Sequence, residues 1–286
     1  QKIMNESDLI ISMGCSMNVA FTNESEILFP NADVIMVNND KNEFNKPGLN
    51  LDMKVLLDVK PVLEDMLKKA RINKNKQFTS WTEYCLTLKK DYPIVTSNLA
   101  SNPINSYFLV SRLAALSNKK QHFVSDAGSS YYVTGQALDY AFGQKDITSG
   151  SFATMGAAIP MAIGASCYDK DAQIIVVTGD GSLELNIQEL KTVSQNNLNI
   201  KIFVINNGGY ASIRESQDEY SEGRYTEDED ILDFSKVANA FEMNYEIIDD
   251  YLTIDEQINK VTSNSNPTLI EVVCERDQKI FGPEVI

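Results

Sequence analysis

Short apolar runs, each giving way at once to small or polar residues, set the rhythm of this chain. Leu9-Ile10-Ile11-Ser12-Met13 runs into Gly14, and Val34-Ile35-Met36-Val37 into Asn38. Further on, Ile174-Ile175-Val176-Val177 runs into Thr178-Gly179, and Ile202-Phe203-Val204-Ile205 into Asn206-Asn207. Runs of this length are strands. Between them lie helical patterns: Val59 to Ala70, Trp81 to Lys90, and a helix capped by Asn105 or Ser106 whose Leu109, Leu113 and Leu116 share one face. A further helix is expected from about Leu183 to Gln195, with Leu183, Ile187 and Leu190 on its buried side. Alternation of strands with helices predicts an α/β fold with parallel strands. Crossover helices in such a sheet leave a crevice at the carboxyl ends of the strands, which is where a ligand is expected.

The segment Arg71 to Phe78 is polar and basic without periodicity and reads as a linker. It separates a first piece, residues 1–75, from a linker helix within residues 76–100 and a second domain over residues 101–286. The chain starts at Gln1 without a signal peptide and runs almost at once into a strand, which reads as entry into the middle of a domain of a longer protein.

Composition then removes several function classes. With 286 residues, 43% of them hydrophobic, the chain can bury a sizeable core, and its apolar runs are far too short for a membrane span. A formal charge of -15 repels nucleic acid and anionic lipid, so any phosphate must be held locally. Cys15, Cys85, Cys167 and Cys274 are scattered without metal-ligand spacing, the pattern of reduced thiols in a cytoplasmic protein. His122 is the single histidine. It excludes a zinc site of several imidazoles and introduces a strand, where a structural role is expected.

The chemistry concentrates between Ile174 and Tyr210. Thr178-Gly179-Asp180-Gly181-Ser182 leaves one strand and Asn206-Asn207-Gly208-Gly209 leaves the next, so Asp180 and Asn207 are expected to lie close in space. A carboxylate, an amide oxygen and a backbone carbonyl suit magnesium or calcium, but they are too few to hold the ion without water and ligand phosphate oxygens. Gly181 leaves room for a phosphate, and the following helix offers free N–H groups. Gly-Asp-Gly alone is a common turn; its pairing with Asn-Asn is what changes the reading.

These two segments together resemble the diphosphate-binding motif of thiamine diphosphate (ThDP) enzymes, and the chain looks like the acetolactate synthase branch of the pyruvate decarboxylase superfamily. Ala153-Thr154-Met155-Gly156 with the helix after it, the closing strand Leu269 to Val273, the tail Asp277-Gln278-Lys279 and the segment Asp33 to Lys68 extend the likeness over the second half of a family member. The resemblance implies a doubly wound ThDP-binding domain preceded by part of a Rossmann-like central domain. It implies Asp180, Asn207 and the Gly209 carbonyl as ligands of Mg2+, with Gly179, Gly181, Ser182, Asn207 and Tyr210 around the diphosphate. Gly128, Ser129 and Ser130 match a second diphosphate loop, where acetolactate synthases usually carry larger polar residues; a plain strand-end turn is the alternative. Met155 matches the apolar wedge under the thiazolium, its N–H and the Ala153 carbonyl addressing the aminopyrimidine; an ordinary core methionine is the alternative. Arg214 and Gln217, after the metal loop, are candidates to face substrate, a solvated helix surface being the more ordinary state.

The implied activity is decarboxylation of a 2-oxo acid, pyruvate foremost, with the two-carbon unit passed to a second pyruvate, to a keto-sugar of surface-polysaccharide synthesis, or replaced by a proton. A non-catalytic ThDP- or nucleotide-binding fragment is the competing reading, because the glutamate that activates the cofactor belongs to a separate pyrimidine-binding domain that no segment here resembles. The run Gly14-Cys15-Ser16-Met17-Asn18 stands where flavin-binding members carry an arginine, which argues against FAD. A homodimer or homotetramer is implied.

Overall fold

The computed structural model describes residues 2–17, 28–70, 78–225 and 231–281. Residues 71–77 of the expected linker Arg71 to Phe78, and Asn18, lie outside them. The chain divides between Tyr92 and Pro93 into two compact units, with Phe281 grouped with the first.

The first unit starts with helix α1 (Lys2–Glu6) and strand β1 (Leu9–Met13), followed by β2 (Asp33–Asn38), β3 (Met53–Leu56), α2 (Val59–Ala70) and α3 (Thr79–Asp91). Its sheet has the order β1-β2-β3 with both pairings parallel. Val34, Met36, Phe44 and Leu49 form its small core. The strands and helices expected here occur where the apolar runs place them.

The second unit begins with α4 (Ser106–Leu116), which Asn105 caps by accepting the Tyr107 N–H at 3.0 Å. There follow β4 (Gln121–Ser125), α5 (Ser129–Ala137), the two-residue β5 (Asp146–Ile147), α6 (Ala158–Tyr168), β6 (Gln173–Gly179), α7 (Asp180–Glu184) and α8 (Glu189–Gln195). The unit is completed by β7 (Ile200–Asn206), α9 (Ala211–Tyr220), α10 (Phe234–Ala240), β8 (Asn244–Ile248), α11 (Ile254–Thr262) and β9 (Thr268–Val273). All six strands are parallel, in the order β5-β4-β6-β7-β9-β8.

Both faces of this sheet are covered. Ile174, Val176, Ile202 and Val204 join one cluster with Ala158, Ala162, Leu190 and Val193 from α6 and α8. The intervening Ile175, Val177, Phe203 and Ile205 are equally buried, which is why these strands read as unbroken apolar runs. The fold is therefore the expected parallel α/β architecture. From β4 the chain crosses to β5 on one side, and from β6 to β7 on the other. The crevice between the carboxyl ends of β4 and β6 is thus a topological switch point.

One expected helix is two. The stretch from Leu183 to Gln195 breaks at Leu185–Gln188, where tight bonds such as Leu185 N–H to the Ser182 carbonyl (3.3 Å) and Leu190 N–H to the Ile187 carbonyl (3.1 Å) replace helical ones. The Asn186 side chain is turned to the Gly156 carbonyl at 2.9 Å, a long-range contact that periodicity does not reveal. No helix among the described residues is long and apolar enough to cross a membrane.

Candidate functional site

The switch-point crevice opens into a cleft walled by three strand ends. Ala127, Gly128, Ser129 and Ser130 follow β4; Gly179, Asp180, Gly181 and Ser182 end β6 and begin α7; Asn207, Gly209, Tyr210 and Ser212 follow β7. Met155 reaches the same cleft from the loop before α6. Parallel pairing explains the convergence. Val177 is level with Ser125, and Gly179 with Ile205, so all three chains leave the sheet at about one height.

Asp180 is 2% exposed, and its carboxylate faces backbone donors. Oδ1 accepts the Gly181 N–H at 2.8 Å, while Oδ2 accepts those of Asn207 and Gly209, each at 3.0 Å. Burial pushes the carboxyl above its ordinary range, and the N–H groups of Gly209, Gly181 and Asn207 pull against that shift. The expected proximity of Asp180 and Asn207 is thus a direct hydrogen bond. Gly181 has a second reason to lack a side chain: a Cβ there would lie 2.5 Å from Cε1 of Tyr210, so the tyrosine ring occupies that space.

At the β4 end, Gly128 precedes the first turn of α5 and offers no side chain to cap it. Ser130 gives its hydroxyl to the Ala127 carbonyl at 2.8 Å, and the Ser129 hydroxyl lies 3.3 Å from that of Ser212. Ala153 is in left-handed backbone (φ 41°) and closes the turn Gly150–Phe152 through its N–H to the Gly150 carbonyl, 3.1 Å. It is not among the residues lining the cleft.

Two residues acquire roles that sequence reasoning did not assign. Asp126, fully buried at the end of β4, accepts the Gly156 N–H at 2.8 Å, the Ala158 N–H at 3.1 Å and the Thr178 hydroxyl at 3.2 Å. It fastens the Met155 loop to the β6 end. The available signal was its likeness to Asp180, an aspartate after a buried strand and ahead of a glycine. Arg214 does not lie on the solvated helix surface given as its more ordinary state. It is 1% exposed and binds main-chain carbonyls, because the loop before α9 and the tail after β9 close around it.

The donor set is oxygen only. Among the described residues no group of three His, Cys, Asp or Glu side chains is placed to hold a metal ion. A buried carboxylate beside an asparagine amide and backbone carbonyls fits a hard divalent cation whose shell is completed by a ligand's own oxygens. A small-residue cleft with helix N-termini fits the diphosphate that would bring them. His122, in β4, lies outside the cleft wall, its Nε2 3.2 Å from Asp169 Oδ2.

Comparison with known proteins agrees with this geometry. Residues 126–272 match the family described as "Thiamine pyrophosphate enzyme, C-terminal TPP binding domain". The chain is 26% identical over 281 residues to the acetolactate synthase isozyme 1 large subunit of Escherichia coli (strain K12), covering 98% of this chain and 49% of that protein. It is 27% identical over 285 residues to the acetolactate synthase large subunit of Cyanidium caldarium, covering 97% and 48%. With the acetolactate synthase large subunit of Buchnera aphidicola subsp. Schizaphis graminum (strain Sg) it shares 32% identity over 244 residues, covering 83% and 42%. The chain therefore spans about half the length of the curated relatives it matches.

Proposed function

Because this chain belongs to the thiamine pyrophosphate enzymes, its residues 126–272 carrying their C-terminal TPP binding domain, we propose that its cleft binds ThDP with Mg2+ in an acetolactate synthase-like enzyme. The observation that carries this reading is the meeting of three parallel strand ends around Asp180, with Asn207 and Gly209 bonded to its carboxylate. In this reading Asp180 and Asn207 hold the ion by side chains and Gly209 by its carbonyl. Gly128, Ser129, Ser130, Gly179, Gly181, Ser182 and Tyr210 surround the diphosphate, the glycines admitting it and the α5 and α7 N-termini stabilising its charge. Met155 supports the ring system, with its N–H and the Ala153 carbonyl addressing the aminopyrimidine.

Bound ThDP supplies an electron sink for decarboxylating a 2-oxo acid. The chain's own part is to hold and orient it. The relatives are by name acetolactate synthases; pyruvate is the proposed donor, with a second pyruvate, a keto-sugar or a proton as acceptor. The activating glutamate comes from a segment outside this chain, across an interface within a homodimer or homotetramer. FAD is not part of the proposed cofactor set.

Isothermal titration with ThDP, with and without Mg2+, tests the site. Metal-dependent binding that Asp180→Ala abolishes is expected; equal binding by the variant overturns the metal assignment. Carbon dioxide release from pyruvate, compared between this chain and any longer product that contains it, tests the division of labour. Full activity in the short chain overturns the assignment of the glutamate to another segment.

A further inference from the structure

Arg214 is the largest side chain buried below 2% exposure among the described residues, and every donor nitrogen of its guanidinium is engaged. Nη1 donates to the Gly208 carbonyl at 2.8 Å, and Nη2 to the carbonyls of Asn207 (3.0 Å) and Arg276 (2.6 Å). Nε donates to Asp277 Oδ1 at 3.3 Å. Asp180 approaches the same loop from its N–H groups, those of Asn207 and Gly209. One peptide unit is therefore bracketed end to end. The C=O of Gly208 points to Arg214 and the N–H of Gly209, in the same trans peptide plane, points to Asp180.

The bracket acts on a pair of glycines. Gly208 and Gly209 have φ of +78° and +99°, and two consecutive glycines cross between conformations at little steric cost. Rotation of the Gly208–Gly209 peptide plane would break both bonds at once. A buried charge that donates to three carbonyls and one carboxylate is satisfied only while the loop keeps this shape. The planar fork suits this task, since it reaches two adjacent carbonyls from one rigid group.

We propose that Arg214 is the positioning residue of the Asn207–Gly209 loop, holding the Gly208–Gly209 peptide so that the oxygen ligands at the β7 end are formed before a metal–diphosphate ligand arrives. Through the Arg276 carbonyl and Asp277 it ties the same loop to the segment after β9. Its consequence for cofactor affinity rests on the proposed ThDP site; its consequence for the loop does not.

Hydrogen exchange resolved at the amides of 207–209, with Arg214→Gln and Arg214→Lys, tests the proposal, followed by calorimetry with Mg2+ and ThDP. In Arg214→Gln the loop amides are expected to exchange at least tenfold faster while β4, β6 and β7 keep their protection, and Mg2+-dependent ThDP affinity falls at least tenfold. Arg214→Lys, which keeps the charge and loses the fork, falls between; it carries the test if the glutamine variant does not fold. Unchanged loop exchange, or acceleration in equal proportion across the strands, overturns the proposal, the second because it marks a merely structural role. A wild-type chain with a protected loop that binds no ThDP overturns the proposed function and leaves the exchange result to judge Arg214.

Discussion

Asp126 Oδ1 accepts the Gly156 N–H at 2.8 Å across 30 residues of sequence, joining the end of β4 to the loop that carries Met155. Its other oxygen serves the Ala158 N–H and the Thr178 hydroxyl, so one carboxylate ties α6 and β6 to the same point.

Asp126→Asn replaces an acceptor with an amide donor that faces donors. The variant is expected to lose roughly 1–3 kcal/mol of stability, the usual cost of leaving buried polar groups unmatched. Urea unfolding followed by circular dichroism measures it. Stability equal to wild type would show that the three donors find other partners.

Gly181→Ala places a methyl 2.5 Å from the Tyr210 ring, a contact that forces the ring to move. The expected loss is about 1–3 kcal/mol from overpacking, larger than the helix-propensity gain of alanine over glycine, about 1 kcal/mol. The double variant Gly181→Ala with Tyr210→Ala should recover that loss relative to Tyr210→Ala alone. A double-mutant cycle with no coupling would place the tyrosine ring elsewhere.

Lys201, in β7, is fully buried, donating to Asn264 Oδ1 at 3.1 Å, to the Asn266 carbonyl and to Thr268 Oγ1 at 3.4 Å. Burial pushes its ammonium down to about 8, against an ordinary 10.5. Between these values the unfolded chain binds more protons than the folded one, so folding stability contributed by this residue rises with pH from about 8 to 10.5. The stability of wild type minus that of Lys201→Met, from urea unfolding at intervals across this window, should increase with pH. A flat or falling difference would contradict the burial of a charge there.

Arg112 meets Asp255 in a two-pronged ion pair, both bonds 2.7 Å, between α4 and α11. Both side chains are part exposed, so Arg112→Ala is expected to cost at most about 1 kcal/mol, and less at high salt. Thermal unfolding at low and at 1 M salt, a concentration where the Debye length is about 3 Å, checks this.

The local pattern was enough to find β6 and β7, because strands covered on both faces need unbroken apolar runs, and enough to mark Gly179-Asp180-Gly181 and Asn206-Asn207 as neighbouring strand ends. Those features depend on residues close in sequence. The sheet order did not follow from them: β9 slots between β7 and β8, a choice made by which apolar faces pack together. Arg214 sits in the polar stretch Ser212 to Gln217, which looks solvated, and is buried because its partners at 207, 208, 276 and 277 come from both sides of α9. Asp126 follows the short apolar pair Phe123-Val124 and Ser125, but its partners at Gly156, Ala158 and Thr178 exist only once β4 and β6 lie side by side. Periodicity is a property of the chain and survives in the sequence; a buried charge is defined by the atoms that surround it, and those are assembled by the tertiary fold.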